Sequence, residues 1–251
     1  MIELFVLMYG FVFGSFFNVV GLRVPKGQSL FWPHSACPRC NHKLHFAELI
    51  PVFSYVWQRG RCRVCRIRIS PLYPLIEFVT ALLFWCAYMS FGLTADFFIA
   101  LILMSLLLII IVSDLTYMVI PDKILFIFLF LFLMGRTFHP LEPWWDMFVG
   151  GAVGFFIPLL VSLVSKGGMG GGDIKLFGVI GLLSGLKKVL VIFFLSCALG
   201  AVCGVVLMMF HIIKKGKPMP FAPFIALATL AELFYGEILI HWYLQLINYG
   251  G

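Results

Sequence analysis

Charged residues are scarce in this chain. They make up 12% of its 251 residues, whereas hydrophobic residues make up 62%. A soluble domain carries about 25% charged residues, so the composition excludes an ordinary soluble enzyme or binding domain. The mean hydropathy is +1.06, and several apolar runs reach the roughly 17–25 residues that a membrane-spanning helix needs. The sequence therefore predicts an all-α fold, a polytopic membrane helical bundle.

About eight transmembrane helices are predicted from the apolar runs. They cover residues 2–22, 73–92, 97–113, 123–138, 147–165, 174–186, 189–213 and 220–246. The sixth is short, and a partly re-entrant segment is the alternative to a full span. The first lacks the basic start and the clear cleavage site of a signal peptide, so we interpret it as a retained helix.

Positive charge is concentrated near the N-terminus. Nine of the 18 Lys and Arg residues lie between Arg23 and Arg68, where Glu48 is the single acid. No aromatic platform follows an extended basic surface, so we expect membrane lipid and no nucleic acid as a partner. The positive-inside rule puts this loop in the cytoplasm. The predicted domains are a first transmembrane helix (1–22), a cytoplasmic loop domain (23–72) and a second transmembrane domain (73–251).

Two CxxC pairs stand out in this loop: Cys37 with Cys40, and Cys62 with Cys65. Paired CxxC turns at this separation are typical of a tetrahedral four-cysteine zinc site. Two disulfides are the alternative, which an oxidising compartment would favour. Four thiolates leave no open coordination position, so we expect the zinc to be structural rather than catalytic.

Acids are few, and two of the eleven lie at predicted cytoplasmic ends of apolar helices. Asp114 follows the third segment, and Asp173 follows three glycines and opens the sixth. A helix cap is the simple explanation for such residues, and it fits Asp122 well. It fits Asp114 poorly because the helix dipole disfavours an anion at a C-terminus. Two carboxyl groups that share one proton can activate water and polarise a peptide carbonyl. We therefore predict Asp114 and Asp173 as the catalytic pair of an aspartyl protease. Residues 23–72 are then a zinc-binding loop domain, and residues 73–251 are the transmembrane peptidase domain.

Six stretches support a family assignment by their order along the chain. They are residues 14–20 (GSFFNVV) with 23–25 (RVP), the two CxxC pairs with 50–55 (IPVFSY) between them, 73–77 (YPLIE), Asp114 with 120–122 (IPD), 170–176 (GGGDIKL) and 220–224 (PFAPF). Together they resemble the type IV prepilin peptidase family of GxGD aspartyl proteases, with Ala222 in place of the usual glycine. The resemblance covers nearly the whole chain.

The resemblance implies a bifunctional enzyme of the bacterial inner membrane. Its substrates would be prepilins or pseudopilins, cut after the leader glycine on the cytoplasmic face. It would also N-methylate the new terminal residue with S-adenosylmethionine. No glycine-rich nucleotide-binding signature is present, so cofactor-binding residues stay unassigned. Asn18 and Glu77 are polar groups that could serve that site, although helix–helix hydrogen bonding is an equal explanation for Asn18.

Two other classes of function remain as alternatives. An ion-coupled transporter would carry acids near the membrane midplane in several helices, whereas Asp114 and Asp173 are predicted at one border. A non-enzymatic scaffold whose zinc loop binds an assembly partner would tolerate the loss of either aspartate. The pathway and the oligomeric state do not follow from the sequence.

Overall fold

The structure, a computed structural model, describes residues 1–30, 32, 34–37, 39–211 and 219–249. Helices dominate it: within these residues, β-pairing is limited to two isolated bridges in the cysteine loop. The chain divides into two compact units, Met1–Tyr117 and Met118–Gly251. The predicted all-α fold class is therefore confirmed.

The first unit contains three long helices and one short one. They are α1 (Ile2–Arg23), α2 (Phe53–Trp57), α3 (Leu72–Phe91) and α4 (Ala95–Tyr117). The cysteine loop lies between α1 and α3. Helix α4 has more buried residues than any other helix of the unit, and every residue from Leu106 to Ile110 is buried. This helix therefore forms the core of the unit.

Helix α1 packs closely against α3 and α4 because glycines leave space on its surface. A Cβ on Gly10 would collide with the backbone of Ala81, and one on Gly14 would lie 2.7 Å from Cα of Glu77. Gly21 makes the same close approach to Val112 of α4. Small residues four apart are the usual means of close helix packing in membranes. The first apolar segment is thus an integral part of the unit.

The second unit contains five helices: α5 (Asp122–Phe138), α6 (Asp146–Val164), α7 (Gly171–Ser184), α8 (Leu186–Met209) and α9 (Ala222–Tyr249). Helices α6 and α7 approach closely through Gly150 and Gly181, whose backbones touch. The guanidinium of Arg136 donates to the Leu183 carbonyl at 2.8 and 2.6 Å. These two hydrogen bonds satisfy a carbonyl at the end of α7, where the last carbonyls of a helix have no partner within the helix.

Each of the eight predicted segments corresponds to one long helix, with ends that shift by a few residues; residues 212 and 213 of the seventh lie outside the described residues. Within the described part of the chain, five helices are long and apolar enough to cross a membrane: α1, α3, α4, α6 and α8. Helix α7 has 14 residues and is about 21 Å long at about 1.5 Å per residue. A hydrocarbon core is about 30 Å thick, so α7 is too short to span it alone.

Candidate functional site

The four cysteines of the two CxxC pairs converge at one point of the loop. Their sulfur atoms all lie within 4.8 Å of one another. The Sγ atoms of Cys37 and Cys65 are 3.6 Å apart, and those of Cys40 and Cys62 are 3.9 Å apart. A metal ion held tetrahedrally at about 2.3 Å from each sulfur would space the sulfurs by about 3.8 Å. The cluster can therefore hold a metal ion, as the spacing predicted.

The two CxxC pairs share one backbone geometry. The N–H of Cys37 donates to the carbonyl five residues later at 3.0 Å, and that of Cys62 does the same at 2.9 Å. The residues four places after these cysteines, Asn41 and Arg66, both have positive φ, 52° and 56°. Each pair is therefore a tight turn that presents two sulfurs on one side, although the turns share little sequence beyond their cysteines.

Hydrogen bonds and burial shift the pKa values of three groups in this loop. The backbone N–H of Cys40 lowers the pKa of the Cys37 thiol from 9.0 to about 6, which favours the thiolate form that binds metals. The backbone N–H of His42 lowers the pKa of the Cys40 thiol, but desolvation and the neighbouring thiols outweigh it and raise that pKa to about 11. The backbone N–H of His45, at 2.9 Å, lowers the pKa of the buried Glu48 carboxyl. His42 also contacts that carboxylate, with 3.2 Å between Nε2 and Oε2.

Asp114 lies inside α4, three residues before the helix ends, and is 6% exposed. The helix continues past the predicted end at residue 113 because no helix-breaking residue follows until Pro121. It stops at Tyr117, after which Met118 has a positive φ of 53°. A buried carboxyl group near a helix C-terminus is opposed by the helix dipole. Capping therefore does not explain Asp114.

Asp173 lies in the first turn of α7 and is 9% exposed. The N-cap is Gly170, so Asp173 does not cap the helix. A Cβ on Gly170 would lie 2.9 Å from Oδ2 of Asp173, and one on Gly172 would lie 2.8 Å from Cβ of Ile120. A Cβ on Gly171 would meet nothing within 4 Å. Two of the glycines thus make room for neighbouring side chains, whereas the space beside Gly171 is open.

Asp122 has a different environment from the two predicted catalytic acids. It is the first residue of α5, and the N-cap is Pro121. Its carboxylate accepts hydrogen bonds from Nζ of Lys175 at 2.8 Å to each oxygen. The capping interpretation of Asp122 is therefore replaced by an ion pair that joins the starts of α5 and α7. Asp114 belongs to the first unit and Asp173 to the second, and their pairing stays a prediction.

A cavity of about 630 Å³ lies within the first unit, between α1, α3, the last residues of α4 and the cysteine loop. Three buried polar residues line it: Asn18, Glu48 and Glu77. Asn18 Nδ2 donates to the Tyr73 carbonyl at 3.1 Å, so it does join two helices. From the sequence, Asn18 and Glu77 are already identified as polar groups in apolar helices. It gave no signal that Glu48 would join them.

Among the side chains of the second unit whose burial the structure describes, Glu232 is a further buried acid and is 4% exposed. Its Oε1 lies 3.5 Å from Nζ of Lys188. This ion pair gives Glu232 a structural role, because a charge in an apolar helix bundle needs a partner.

Comparisons with known proteins give a consistent result. Residues 8–91 match the bacterial peptidase A24 N-terminal domain, and residues 101–205 match the type IV leader peptidase family. A prepilin leader peptidase/N-methyltransferase of Bacillus subtilis (strain 168) is 39% identical, over 95% of this chain and 96% of the relative. Relatives with the same name from Aeromonas salmonicida (strain A449) and Pseudomonas aeruginosa are each 31% identical, over 96% and 97% of this chain and 94% and 93% of their own lengths. No solved structure matches the chain.

Proposed function

The chain belongs to the type IV leader peptidase family, and we propose that it removes prepilin or pseudopilin leaders by a two-aspartate mechanism that uses Asp114 and Asp173. It is a multi-pass membrane protease with N-methyltransferase activity. The family and the relatives give no support to the transporter or the scaffold hypothesis. The cut would follow the leader glycine and leave the apolar helix of the substrate in the membrane.

The chemistry needs one ionised and one protonated carboxyl group. The carboxylate takes a proton from water while the water oxygen bonds to the carbonyl carbon of the scissile peptide. The protonated carboxyl donates to the carbonyl oxygen. When the tetrahedral intermediate collapses, the C–N bond breaks and the nitrogen takes a proton. The products are a leader that ends in a carboxylate and a helix with a free amine.

The burial of the two acids at helix ends is the observation that carries this proposal. Asp114 is 6% exposed and Asp173 is 9% exposed. Burying an ionisable group in an apolar helix costs free energy, so a buried acid at such a position indicates a functional site. Asp173 is further distinguished by the glycine at position 170, whose missing Cβ leaves room for the carboxylate. The other described aspartates at helix starts, Asp96, Asp122 and Asp146, are not buried.

The orientation in the membrane follows from charge. We propose that the enzyme lies in the bacterial inner membrane with the cysteine loop and both catalytic aspartates facing the cytoplasm. The basic loop between α1 and α3 supports this orientation through the positive-inside rule. A prepilin leader is then accessible before export.

The four-cysteine cluster supports a structural zinc site. We propose that Cys37, Cys40, Cys62 and Cys65 hold zinc as four thiolates, because their sulfur spacing fits tetrahedral coordination. The ion would fix the fold of a loop that has little regular secondary structure. Four protein ligands leave it no place for water or substrate, so it takes no part in hydrolysis.

S-adenosylmethionine is the proposed methyl donor for the second activity. When bound, it supplies a methyl group to the new amine, whose lone pair forms the N–C bond while the C–S bond breaks and S-adenosylhomocysteine leaves. The nitrogen then loses a proton. The protein has only to hold the donor and the unprotonated amine together.

Mass spectrometry of a purified prepilin incubated with the enzyme tests both activities. We expect loss of the leader mass, and a further methyl mass when S-adenosylmethionine is added. Asp114→Asn and Asp173→Asn should each abolish cleavage, whereas Asp96→Asn, at the exposed opposite end of α4, should retain it. An intact substrate after incubation with the unaltered enzyme, or cleavage by Asp173→Asn, would contradict the proposal.

A further inference from the structure

The cavity of the first unit has the size and surroundings of a small-molecule site. Its volume is about 630 Å³, within the range of roughly 300–1,000 Å³ that cofactor pockets occupy. Its walls come from four parts of the same compact unit, so it does not depend on the second unit. Cys37 and Cys62 form part of the wall. The four-cysteine cluster therefore contributes to the wall of the cavity.

Two buried oxygen atoms in its wall lack hydrogen-bond partners. Oδ1 of Asn18 and Oε1 of Glu48 are two of the three such side-chain atoms among the described residues, and both residues line the cavity. Asn18 is 2% exposed, and its Nδ2 is held by the Tyr73 carbonyl. Buried acceptors without partners cost free energy. A ligand with hydrogen-bond donors would satisfy them.

Glu77 adds a third acceptor and holds the loop over the cavity. Its Oε2 accepts the N–H of Val52 at 2.7 Å. Val52 has a φ of 60°, which is a strained backbone conformation for a β-branched residue. The Glu77 bond thus ties a strained turn of the loop to α3. The Ser15 side chain, which also lines the cavity, hydrogen-bonds to the same carboxyl group.

Charges of both signs line the cavity, together with aromatic rings. The bases are Arg23, Lys26 and Arg68, the acids are Glu48 and Glu77, and the tyrosines are Tyr55, Tyr73 and Tyr117. Nζ of Lys26 lies 4.9 Å from the ring centre of Tyr117. Such a wall suits a zwitterion that carries an aromatic base: acids and bases meet its charges, and tyrosine rings meet its π-face. A strongly basic leader peptide would be repelled by the bases.

We propose that this cavity binds S-adenosylmethionine, an inference that rests on the proposed methyltransferase function. Glu77 and Glu48 accept from its ammonium and ribose hydroxyl groups, and Lys26 pairs with its carboxylate. Tyr117 of the cavity wall is three residues after Asp114 on α4, less than one helical turn. The donor is thereby held close to the peptidase residue that helps to create the new amine.

Ultraviolet crosslinking of methyl-labelled S-adenosylmethionine to the purified full-length enzyme locates the site directly. We expect label that unlabelled S-adenosylhomocysteine displaces, on peptides within the segments that line the cavity: residues 15–28, 35–37, 44–77 and 116–117. Label found only outside these segments, or label that is not displaced, overturns the inference. If the label lies elsewhere but the enzyme still cleaves and methylates prepilin, the proposed function stands and only the location of the cofactor site is wrong. Absence of cleavage by the unaltered enzyme contradicts the proposed function itself.

Binding measured by equilibrium dialysis tests individual side chains. We expect Glu77→Gln and Lys26→Met to weaken the affinity for S-adenosylmethionine by about tenfold or more. The matched controls are Glu232→Gln, a buried acid of the second unit, and Lys43→Met, an exposed lysine of the same loop outside the cavity wall. Both should bind as the unaltered enzyme does. Unchanged affinity in Glu77→Gln and Lys26→Met together contradicts the assignment.

Discussion

Three consecutive glycines precede Asp173, and at the residue scale they have different surroundings. Gly170 faces the Asp173 carboxylate, Gly172 faces Ile120, and Gly171 faces open space. None of the three has a positive φ. Glycine is therefore needed at these positions because it has no side chain, and not because its backbone is flexible.

The carboxylate of Asp173 should be sensitive to added volume at Gly170. A Cβ there would lie 2.9 Å from Oδ2, so Gly170→Ala should displace the carboxylate and lower the rate of leader cleavage by about tenfold or more, on the order of 1.4 kcal/mol in activation free energy. The rate is measured by mass spectrometry under single-turnover conditions. Gly171→Ala is the matched control with free space around the added methyl. Equal rates for the two variants would contradict this role of Gly170.

The choice of Asp114 over Asp122 also depends on single-residue surroundings. Asp122 has a 54% exposed side chain and pairs with Lys175, and exposed pairs contribute about 0–1 kcal/mol. We expect Asp122→Asn to lower cleavage by less than about tenfold, whereas Asp114→Asn abolishes it. The same cleavage assay compares them, with Lys175→Met as a control for loss of the ion pair alone. Complete inactivity of Asp122→Asn with normal folding would reverse the assignment.

At the scale of elements, α1 depends on its glycines for contact with α3. An added methyl at Gly14 would lie 2.7 Å from Cα of Glu77, and backbone atoms cannot move aside as a flexible side chain can. We expect Gly14→Ala to destabilise the protein by about 1–3 kcal/mol, the usual cost of overpacking. Thermal unfolding in detergent measures the change. Phe16→Leu, on the exposed side of α1, should leave the transition nearly unchanged.

The cysteine loop should lose its order when the metal is removed. In its described residues, regular structure is limited to short helical segments and two isolated bridges, and metal binding stabilises such small domains directly. After treatment with a strong chelator, we expect the amides of Cys37 and Cys62 to exchange hydrogen at least tenfold faster. Elemental analysis should find one zinc per chain before treatment and none afterwards. Protection that survives metal loss would show that the loop folds without the ion.

For the whole molecule, the distribution of charge predicts the topology in the membrane. Reporter fusions made after residue 60, in the basic loop, and after residue 142, between α5 and α6, should lie on opposite sides. A fluorescent protein, which folds in the cytoplasm, should be active only at the first position. Alkaline phosphatase, which needs export, should be active only at the second. The reverse pattern would place the cysteine loop outside.

The sequence by itself determined the helices and the four-cysteine cluster. Apolar runs in lipid have one simple solution for their backbone hydrogen bonds, the helix, so hydropathy alone located all eight long helices. The two CxxC pairs form local turns, so their spacing was enough to predict four converging sulfurs. Both features depend on residues close together in the chain.

Only the tertiary structure decided what surrounds each polar group. The Asp122–Lys175 ion pair, the space that Gly170 leaves for Asp173 and the end of α4 beyond Asp114 depend on packing that hydropathy does not encode. The cavity brings Glu48 of the loop to Asn18 of α1 and Glu77 of α3, residues far apart in the chain. Their low exposure is a property of the packed unit, because burial is set by neighbours from other helices. The scarcity of charge predicted a membrane protein, whereas only the packing shows which of the few charged groups are buried.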